Sequence, residues 1–139
     1  MPDGERSVRP PLVVDASAMV DLLLDTEHAA GVRGALDGRR LAVPAHFDAE
    51  VMSAIGRLAR SGALSEAAAT GRIERLAAAP IERHPLDRLL LGAWERRNDT
   101  RLVDGLYLEL AAALDTVVLT TDQRLARAHP SSTLLPDAP

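Results

Sequence analysis

Four acidic residues stand where a folded chain could use carboxylates for chemistry. Asp15 and Asp122 each follow a short apolar run, while Glu50 and Asp104 lie in the first turns of predicted helices. An acid near a helix N-terminus also has a structural explanation, because it caps the helix or interacts favourably with the helix dipole. One such residue is therefore ambiguous, whereas four favour a shared site, provided that the fold brings them together.

Electrostatics decides what a site made of these four acids would require. Like charges in one cleft raise each other's pKa values, so they stay ionised together only around a cation. Oxygen-only ligands are typical of Mg²⁺ or Mn²⁺. The 4 histidines are dispersed and cysteine is absent, so a zinc site is not indicated. A hard divalent ion that binds phosphate and activates water implies hydrolysis of a phosphodiester.

The composition excludes several other chemistries. The chain has 139 residues, and all 16 of its basic residues are arginine. Without lysine there is no P-loop and no Schiff base, and without cysteine there is no thiolate nucleophile or disulfide framework. No secretory signal is visible, and no apolar run reaches the roughly 18–20 residues that span a bilayer, so a cytoplasmic protein is expected.

Short apolar runs alternate with segments of helical periodicity. Strands are predicted at 12–14, 41–43, 81–83, 116–120 and 134–135, and helices from Ser17, at 27–36, 47–60, 65–78, 86–97 and 104–114, and after Asp122. In the helix at 86–97 the residues expected to face inward are Leu89, Leu90, Ala93 and Trp94. This alternation predicts an α/β three-layer domain with a short, mostly parallel central sheet flanked by helices.

The expected organisation is a single domain over residues 12–135. Residues 1–11 are expected to form a flexible lead-in, and residues 136–139 a tail. In an open parallel sheet ligands bind beyond the carboxyl ends of the strands, which is where Asp15 and Asp122 are predicted to lie.

Four segments, in order, resemble the motifs of PIN-domain nucleases. These are Val13-Val14-Asp15-Ala16-Ser17-Ala18, the helix Pro44 to Ala54 with Glu50, Val103-Asp104-Gly105-Leu106-Tyr107 to Ala111, and Leu119-Thr120-Thr121-Asp122-Gln123-Arg124-Leu125-Ala126. The resemblance covers nearly the whole chain, and the size is similar to that of the VapC toxins of bacterial toxin–antitoxin pairs. Gly105 departs from the alanine that is frequent there, which is a small change.

The resemblance implies a Mg²⁺- or Mn²⁺-dependent endoribonuclease with Asp15, Glu50, Asp104 and Asp122 as its acidic cluster. Asp15 and Asp104 would bind the metal directly or through water. Glu50 would position the ion or activate the attacking water, and Asp122 would hold a second ion or a water-mediated contact. The resemblance also implies a small antitoxin partner and a homodimer.

Several further residues are candidates around the acids. Ser17 and Thr121 are expected to hydrogen-bond a ligand carboxylate or a metal-bound water, with a helix N-cap as the alternative for Ser17. With no lysine present, RNA phosphates would be bound by arginine. The candidates are Arg97 and Arg101 before Asp104, and Arg124 and Arg127 after Asp122, with a purely solvated role as the alternative.

Other readings of the same acids are weaker but distinct. A phosphoryl-accepting receiver domain needs a lysine near its phosphate, and this chain has none. A haloacid-dehalogenase type needs Asp-x-Asp after the first strand, whereas Asp15-Ala16-Ser17 stands here. A non-catalytic PIN-like module that binds RNA or protein without cutting is the remaining alternative.

Overall fold

The computed structural model describes residues 9–139, so most of the expected lead-in lies outside the described residues. Its centre is a sheet of five strands in the order β3-β2-β1-β4-β5. All four strand pairings are parallel. The strands are β1 Leu12–Val14, β2 Leu41–Pro44, β3 Ile81–His84, β4 Val118–Leu119 and β5 Thr133–Leu134.

Seven α-helices connect and flank these strands. They are α1 Ala16–Leu24, α2 Ala29–Leu36, α3 Phe47–Arg60, α4 Glu66–Ala78, α5 Leu90–Glu95, α6 Leu102–Ala113 and α7 Gln123–Ala128. A single 3₁₀ turn, Asp87–Leu89, precedes α5. The predicted α/β three-layer fold with a parallel sheet is thereby confirmed. No helix in the described part of the chain is long and apolar enough to cross a membrane.

The central strand β1 organises the core because both of its faces are covered. All three of its residues are fully buried, as the apolar composition of a two-sided parallel strand predicts. Helix α6 packs against β1, β2 and β4, and seven of its residues are buried. The first turn of α6 therefore has a fixed position relative to the strand ends, and Asp104 is one of the buried residues.

The register of β1 and β4 brings two sequence-distant segments together at one edge. Val14 pairs with Leu119, and the Asp15 amide donates to the Leu119 carbonyl at 2.9 Å. Because the strands are parallel, Asp15 and Thr120 leave the sheet side by side. The prediction that the carboxyl ends of β1 and β4 lie at the same edge is correct.

The segment at 86–97 differs from its predicted form. The helix expected there is a 3₁₀ turn followed by the six-residue α5. Leu89 and Ala93 are buried as predicted, but Leu90 and Trp94 are each 54% exposed, so their inward assignment is wrong. Leu90 and Trp94 each follow a buried residue by one position, so they are turned about 100° from the face that packs on α6. The strand at 116–120 is likewise shorter, spanning only Val118–Leu119.

Candidate active site at the carboxyl edge of the sheet

Asp15 lies at the junction of β1 and α1, where it is the N-cap residue of α1. Its side chain does not cap the helix; instead Oδ2 accepts hydrogen bonds from Ser17 Oγ at 2.7 Å and from Thr120 Oγ1 at 2.8 Å. The residue is only 7% exposed. Ser17 is inside the helix, so the N-cap alternative for Ser17 is wrong, and its hydroxyl contacts the carboxylate.

Burial raises the pKa of Asp15 above its ordinary value. The hydrogen bonds from Ser17 and Thr120 oppose this shift, and the negative charges of Asp104 and Glu50 add to it. The ionised form of Asp15 is therefore held in an unfavourable environment, which a nearby divalent cation would relieve. The influence of Asp104 and Glu50 on this pKa also shows that the three carboxylates lie within electrostatic reach of one another.

Thr120 is a site residue that the sequence analysis did not select. It is completely buried, and its Oγ1 both donates to Asp15 and accepts from the backbone amide of Asp122 at 3.0 Å. It thus connects two of the predicted acids. Its position directly after a strand and two residues before Asp122 was the available signal, but a threonine there is equally typical of a β-strand.

Thr121 has a different partner from the one expected. Its Oγ1 donates to Asp21 Oδ2 at 2.6 Å, and Thr26 Oγ1 donates to Asp21 Oδ1 at 2.7 Å. Only the backbone amide of Thr121 reaches the site, where it donates to Ser17 Oγ at 3.2 Å. Asp21 is accordingly half-buried and hydrogen-bonded.

Asp104 is buried and is held by two guanidinium groups. Arg101 donates to both carboxylate oxygens, at 3.0 and 3.2 Å, and Arg124 Nη2 donates to Oδ2 at 3.1 Å. Burial by itself would raise the pKa of Asp104, but the arginine hydrogen bonds outweigh it and bring the pKa below its ordinary value. Asp104 is therefore ionised, and cationic groups of the chain compensate its charge.

Asp122 lies at the other end of the same arginine bridge. Arg124 Nη2, the atom that contacts Asp104, also donates to Asp122 Oδ2 at 3.2 Å. Asp122 Oδ1 accepts from the backbone amides of Arg124 and Leu125, at 2.9 and 3.2 Å, and so caps α7. The capping function proposed for acids after strands applies fully to Asp122, which leaves this residue fewer free lone pairs than Asp15.

Glu50 approaches the cluster from the first turn of α3. Its Oε1 accepts from the Tyr107 hydroxyl at 2.7 Å, and His46 Nε2 lies 3.1 Å from the same oxygen. Burial raises the pKa of Glu50, but the contacts with His46 and Tyr107 outweigh it, and the pKa falls below its ordinary value. Glu50 is thus an ionised acceptor, and Tyr107, a fully buried residue of α6, contacts it directly.

An open cleft of about 380 Å³ leads away from the acids between α1 and α3. Ser17, Asp21 and Thr121 line it with Glu50, and Arg57 lies farther along α3. Arg57 was not selected from the sequence, although it lies seven residues after Glu50 and hence on the same helix face.

Of the arginines predicted to bind RNA, Arg101 and Arg124 contact site carboxylates. Arg97 lies over the Trp94 ring, 4.7 Å from its centroid, and Arg127 is exposed on α7.

The donor chemistry of this cluster fits a hard divalent cation. Among the described residues, Asp15 Oδ1 and Glu50 Oε2 receive no hydrogen bond, so both have free lone pairs. No three acidic or histidine side chains in this part of the chain are grouped tightly enough to hold a metal ion. Arg101 and Arg124 occupy the cationic position at Asp104 instead. An ion could bind Asp104 only in competition with those guanidinium groups.

Comparison with known families agrees with this architecture. A family model of the PIN domain matches residues 12–129, which includes all four acids, so the chain belongs to the PIN-domain family. The solved structure of PAE2754 from Pyrobaculum aerophilum has a TM-score of 0.65 at 25% identity, over 89% of this chain and 83% of that one. A toxin–antitoxin complex from Klebsiella pneumoniae shares the fold, with a TM-score of 0.67 at 14% identity over 92% and 99% of the two chains.

Sequence relatives narrow the placement within that family. The chain is 53% identical to Ribonuclease VapC3 of Mycobacterium tuberculosis over 87% of its length and 89% of the relative's. It is 35% identical to Ribonuclease VapC12 of the same organism, over 85% and 92% of the two chains. These identities place it in the VapC group of PIN domains, as the motif resemblance predicted.

The burial of Asp15 generates a prediction about stability. A carboxyl whose pKa is raised by folding binds its proton more tightly in the folded state, so stability falls as pH rises above the ordinary value of 3.8. Asp15→Asn cannot ionise and still offers an oxygen to Ser17 and Thr120. In EDTA-containing buffer we expect this variant to have a larger free energy of unfolding than the wild type at pH 7, by urea denaturation.

The difference should shrink as the pH falls to 3.8 and below, because the wild-type carboxyl is then increasingly protonated in both states. Asp87→Asn, at an exposed aspartate in the 3₁₀ turn, is the matched control and should show no such pH-dependent gain. Equal stabilities of wild type and Asp15→Asn at pH 7 would contradict the unfavourable burial of this charge.

Proposed function

We propose that this protein is a metal-dependent endoribonuclease toxin that cleaves RNA phosphodiester bonds and is neutralised by a cognate antitoxin. The observation that carries the proposal is a chain of contacts at one edge of the sheet, in which Thr120 joins Asp15 to the amide of Asp122 and Arg124 joins Asp122 to Asp104. Glu50 reaches the same edge through His46, whose Nε2 also contacts the Val103 carbonyl next to Asp104. The names of the VapC relatives, which are ribonucleases, support the reaction. Cellular RNA as the substrate implies a cytoplasmic location.

Asp15 and Asp104 would hold Mg²⁺ or Mn²⁺, with Glu50 and Asp122 completing its surroundings directly or through water. Such an ion supplies charge stabilisation at the phosphate and acidifies a bound water. The chain's own contribution begins with Glu50, an ionised carboxylate whose Oε2 can orient a water and accept its proton. Ser17 and Thr120 fix Asp15, so its Oδ1 is presented in a single orientation.

The arginines would bind the RNA backbone around this centre. Arg57 lines the cleft beside Glu50, and Arg101 and Arg124 contact Asp104. The guanidinium group forms bidentate contacts with phosphate, which suits it to this function in a chain without lysine. Because the net charge is −4, binding would rest on a few local contacts rather than on a broad basic surface.

The first test is cleavage itself. Purified protein incubated with total bacterial RNA and Mn²⁺ or Mg²⁺ should generate discrete fragments, and EDTA should abolish them. Asp15→Asn should lower the rate by roughly 100-fold or more, because several kcal/mol of transition-state stabilisation would be lost with the ion. Asp87→Asn, the same substitution at an exposed site, should cleave at the wild-type rate.

The outcome also separates the proposal from its alternative. A wild-type protein that binds RNA in a gel-shift assay but produces no metal-dependent, Asp15-dependent fragments is a non-catalytic PIN-like module. All four acids are present and three of them are within electrostatic reach of one another, which favours the enzyme over a module whose site has decayed.

The guanidinium contacts at Asp104 generate a second prediction. Arg124 bridges Asp104 and Asp122, so a divalent ion must compete with it for the same oxygens. Arg124→Ala should therefore bind Mn²⁺ several-fold more tightly in isothermal titration calorimetry, while its KM for RNA rises because a phosphate ligand is lost. Arg127→Ala, on the same helix but away from Asp104, should leave Mn²⁺ affinity unchanged. Weaker Mn²⁺ binding by Arg124→Ala would show that the arginine supports the metal site instead.

Two exposed apolar surfaces support the proposed partners. The first is a groove between α3 and α4, lined by Met52, Ile55, Ala69, Ile73 and Ala77, which we assign to the antitoxin. The second is the α5–α6 patch, formed by Leu90, Leu91, Trp94 and Leu102, which we assign to a second copy of the chain. Contiguous exposed apolar residues that include a tryptophan are typical of interaction surfaces.

One charge on each surface distinguishes the two assignments. Leu91 is 78% exposed and Met52 is 54% exposed, so neither substitution disturbs the core. Leu91→Asp should convert a dimer to a monomer in size-exclusion chromatography with light scattering, whereas Met52→Asp should stay dimeric and bind the co-expressed antitoxin more weakly. A monomeric wild type, or a Leu91→Asp variant that remains dimeric, would contradict the assignment of the α5–α6 patch.

A further inference from the structure

The Glu50 carboxylate is held on one side only. Tyr107 Oη donates to Oε1 at 2.7 Å, and His46 Nε2 lies 3.1 Å from that same oxygen. No described residue donates to Oε2, and Glu50 lines the cleft between α1 and α3. A glutamate side chain loses considerable rotamer freedom when it is fixed. Two donors directed at one oxygen supply that restraint without occupying the other oxygen.

His46 also connects Glu50 to the helix that carries Asp104. Its Nε2 lies 3.2 Å from the backbone carbonyl of Val103, at the start of α6. Both neighbours of Nε2 are acceptors, so this nitrogen carries the proton; Nδ1 is buried and has no partner among the described residues. One imidazole N–H is therefore shared between the Glu50 carboxylate and the residue before Asp104, and it fixes the first turn of α3 against that of α6.

Tyr107 restrains the Glu50 carboxylate through its hydroxyl group. It is completely buried, and its ring packs against His46 with a centroid separation of 5.0 Å and an interplanar angle of 59°. Burial, followed by the charge of Glu50, raises the pKa of the phenol far above its usual range. Tyr107 consequently remains a hydrogen-bond donor wherever the protein is folded.

We propose that His46 and Tyr107 are positioning residues that fix the Glu50 carboxylate through Oε1, so that Oε2 faces the cleft where the attacking water would lie. This inference rests on the proposed nuclease function. Neither residue contacts the substrate in it, and each acts through Glu50. Groups that orient a metal-site carboxylate through a hydrogen bond typically contribute about 10- to 100-fold to activity.

Tyr107→Phe is the sharpest test, because the ring still fills its place in the core while the donor is lost. With a fluorescent oligoribonucleotide taken from a cleaved bacterial RNA, kcat should fall about 10-fold and KM should not change. In a Glu50→Gln background the same substitution should have no further effect, because the group it positions is no longer a base. An unchanged kcat for Tyr107→Phe, or an equal loss in the Glu50→Gln background, would overturn the inference.

Substitutions of His46 provide an independent test, because one variant removes the donor and another restores it. His46→Leu removes the donor and should lower kcat, whereas His46→Gln places an amide N–H near the position of Nε2 and should recover most of the rate. The side-chain carboxyl ¹³C resonance of Glu50, assigned by its loss in Glu50→Gln, should shift in Tyr107→Phe and His46→Leu and return toward its wild-type position in His46→Gln. A resonance that does not respond to either loss of a donor overturns the inference.

Different results would contradict the proposed nuclease function and the positioning of Glu50 by Tyr107 and His46. A wild-type protein without metal-dependent cleavage contradicts the proposed function, and the inference falls with it. An active wild type in which Tyr107→Phe is silent or additive contradicts only the assignment of Tyr107 and His46.

Discussion

The site depends on how the fold accommodates several negative charges at one edge of the sheet, where Asp15 and Asp104 are buried. Parallel pairing of β1 and β4 puts Asp15 beside Thr120, and the packing of α6 brings Asp104 to the same place. Each carboxylate has a different form of compensation. The Asp15 carboxylate accepts hydrogen bonds from hydroxyl groups, and the Asp104 carboxylate accepts them from guanidinium groups. Asp122 accepts from backbone amides and Arg124, and Glu50 accepts from a phenol and contacts the His46 imidazole. The pKa values of Asp104 and Glu50 are therefore lowered without any metal, whereas burial raises the pKa of Asp15.

The charges of the four carboxylates are compensated to different extents, and this difference indicates where a cation would bind. Asp104 has its charge balanced by the chain itself, whereas Asp15 is buried with neutral donors only. A divalent ion would relieve the unfavourable environment of Asp15 and displace arginine from Asp104. In the proposed mechanism, metal binding at Asp104 would release a guanidinium group, which would then be available to a phosphate. The 16 arginines of the chain match the number of acids left when the four site carboxylates are set aside.

Sequence patterns predicted the fold class and the four acids because each depends on short-range signals. Buried parallel strands are apolar on both faces, and acids at strand ends and first helical turns are recognisable by position. The contributions of Thr120, His46 and Arg57 were not predictable in this way, since they depend on which elements meet in space. Leu90 and Trp94 were misassigned because the apolar residues of 86–97 cover more of the helix surface than the face that packs on α6, and apolar periodicity does not reveal where that face ends.

Tyr107 belongs to both the core and the site, and this has an evolutionary consequence. Its ring is completely buried against His46, while its hydroxyl reaches Glu50. Phenylalanine would preserve the volume and lose the donor, and a small polar residue would preserve a donor and leave a cavity. In the proposed mechanism this one side chain serves both stability and activity, so the position would not drift by the gradual, compensated steps open to surface residues such as Arg127. A lineage that loses the tyrosine must replace both functions at once.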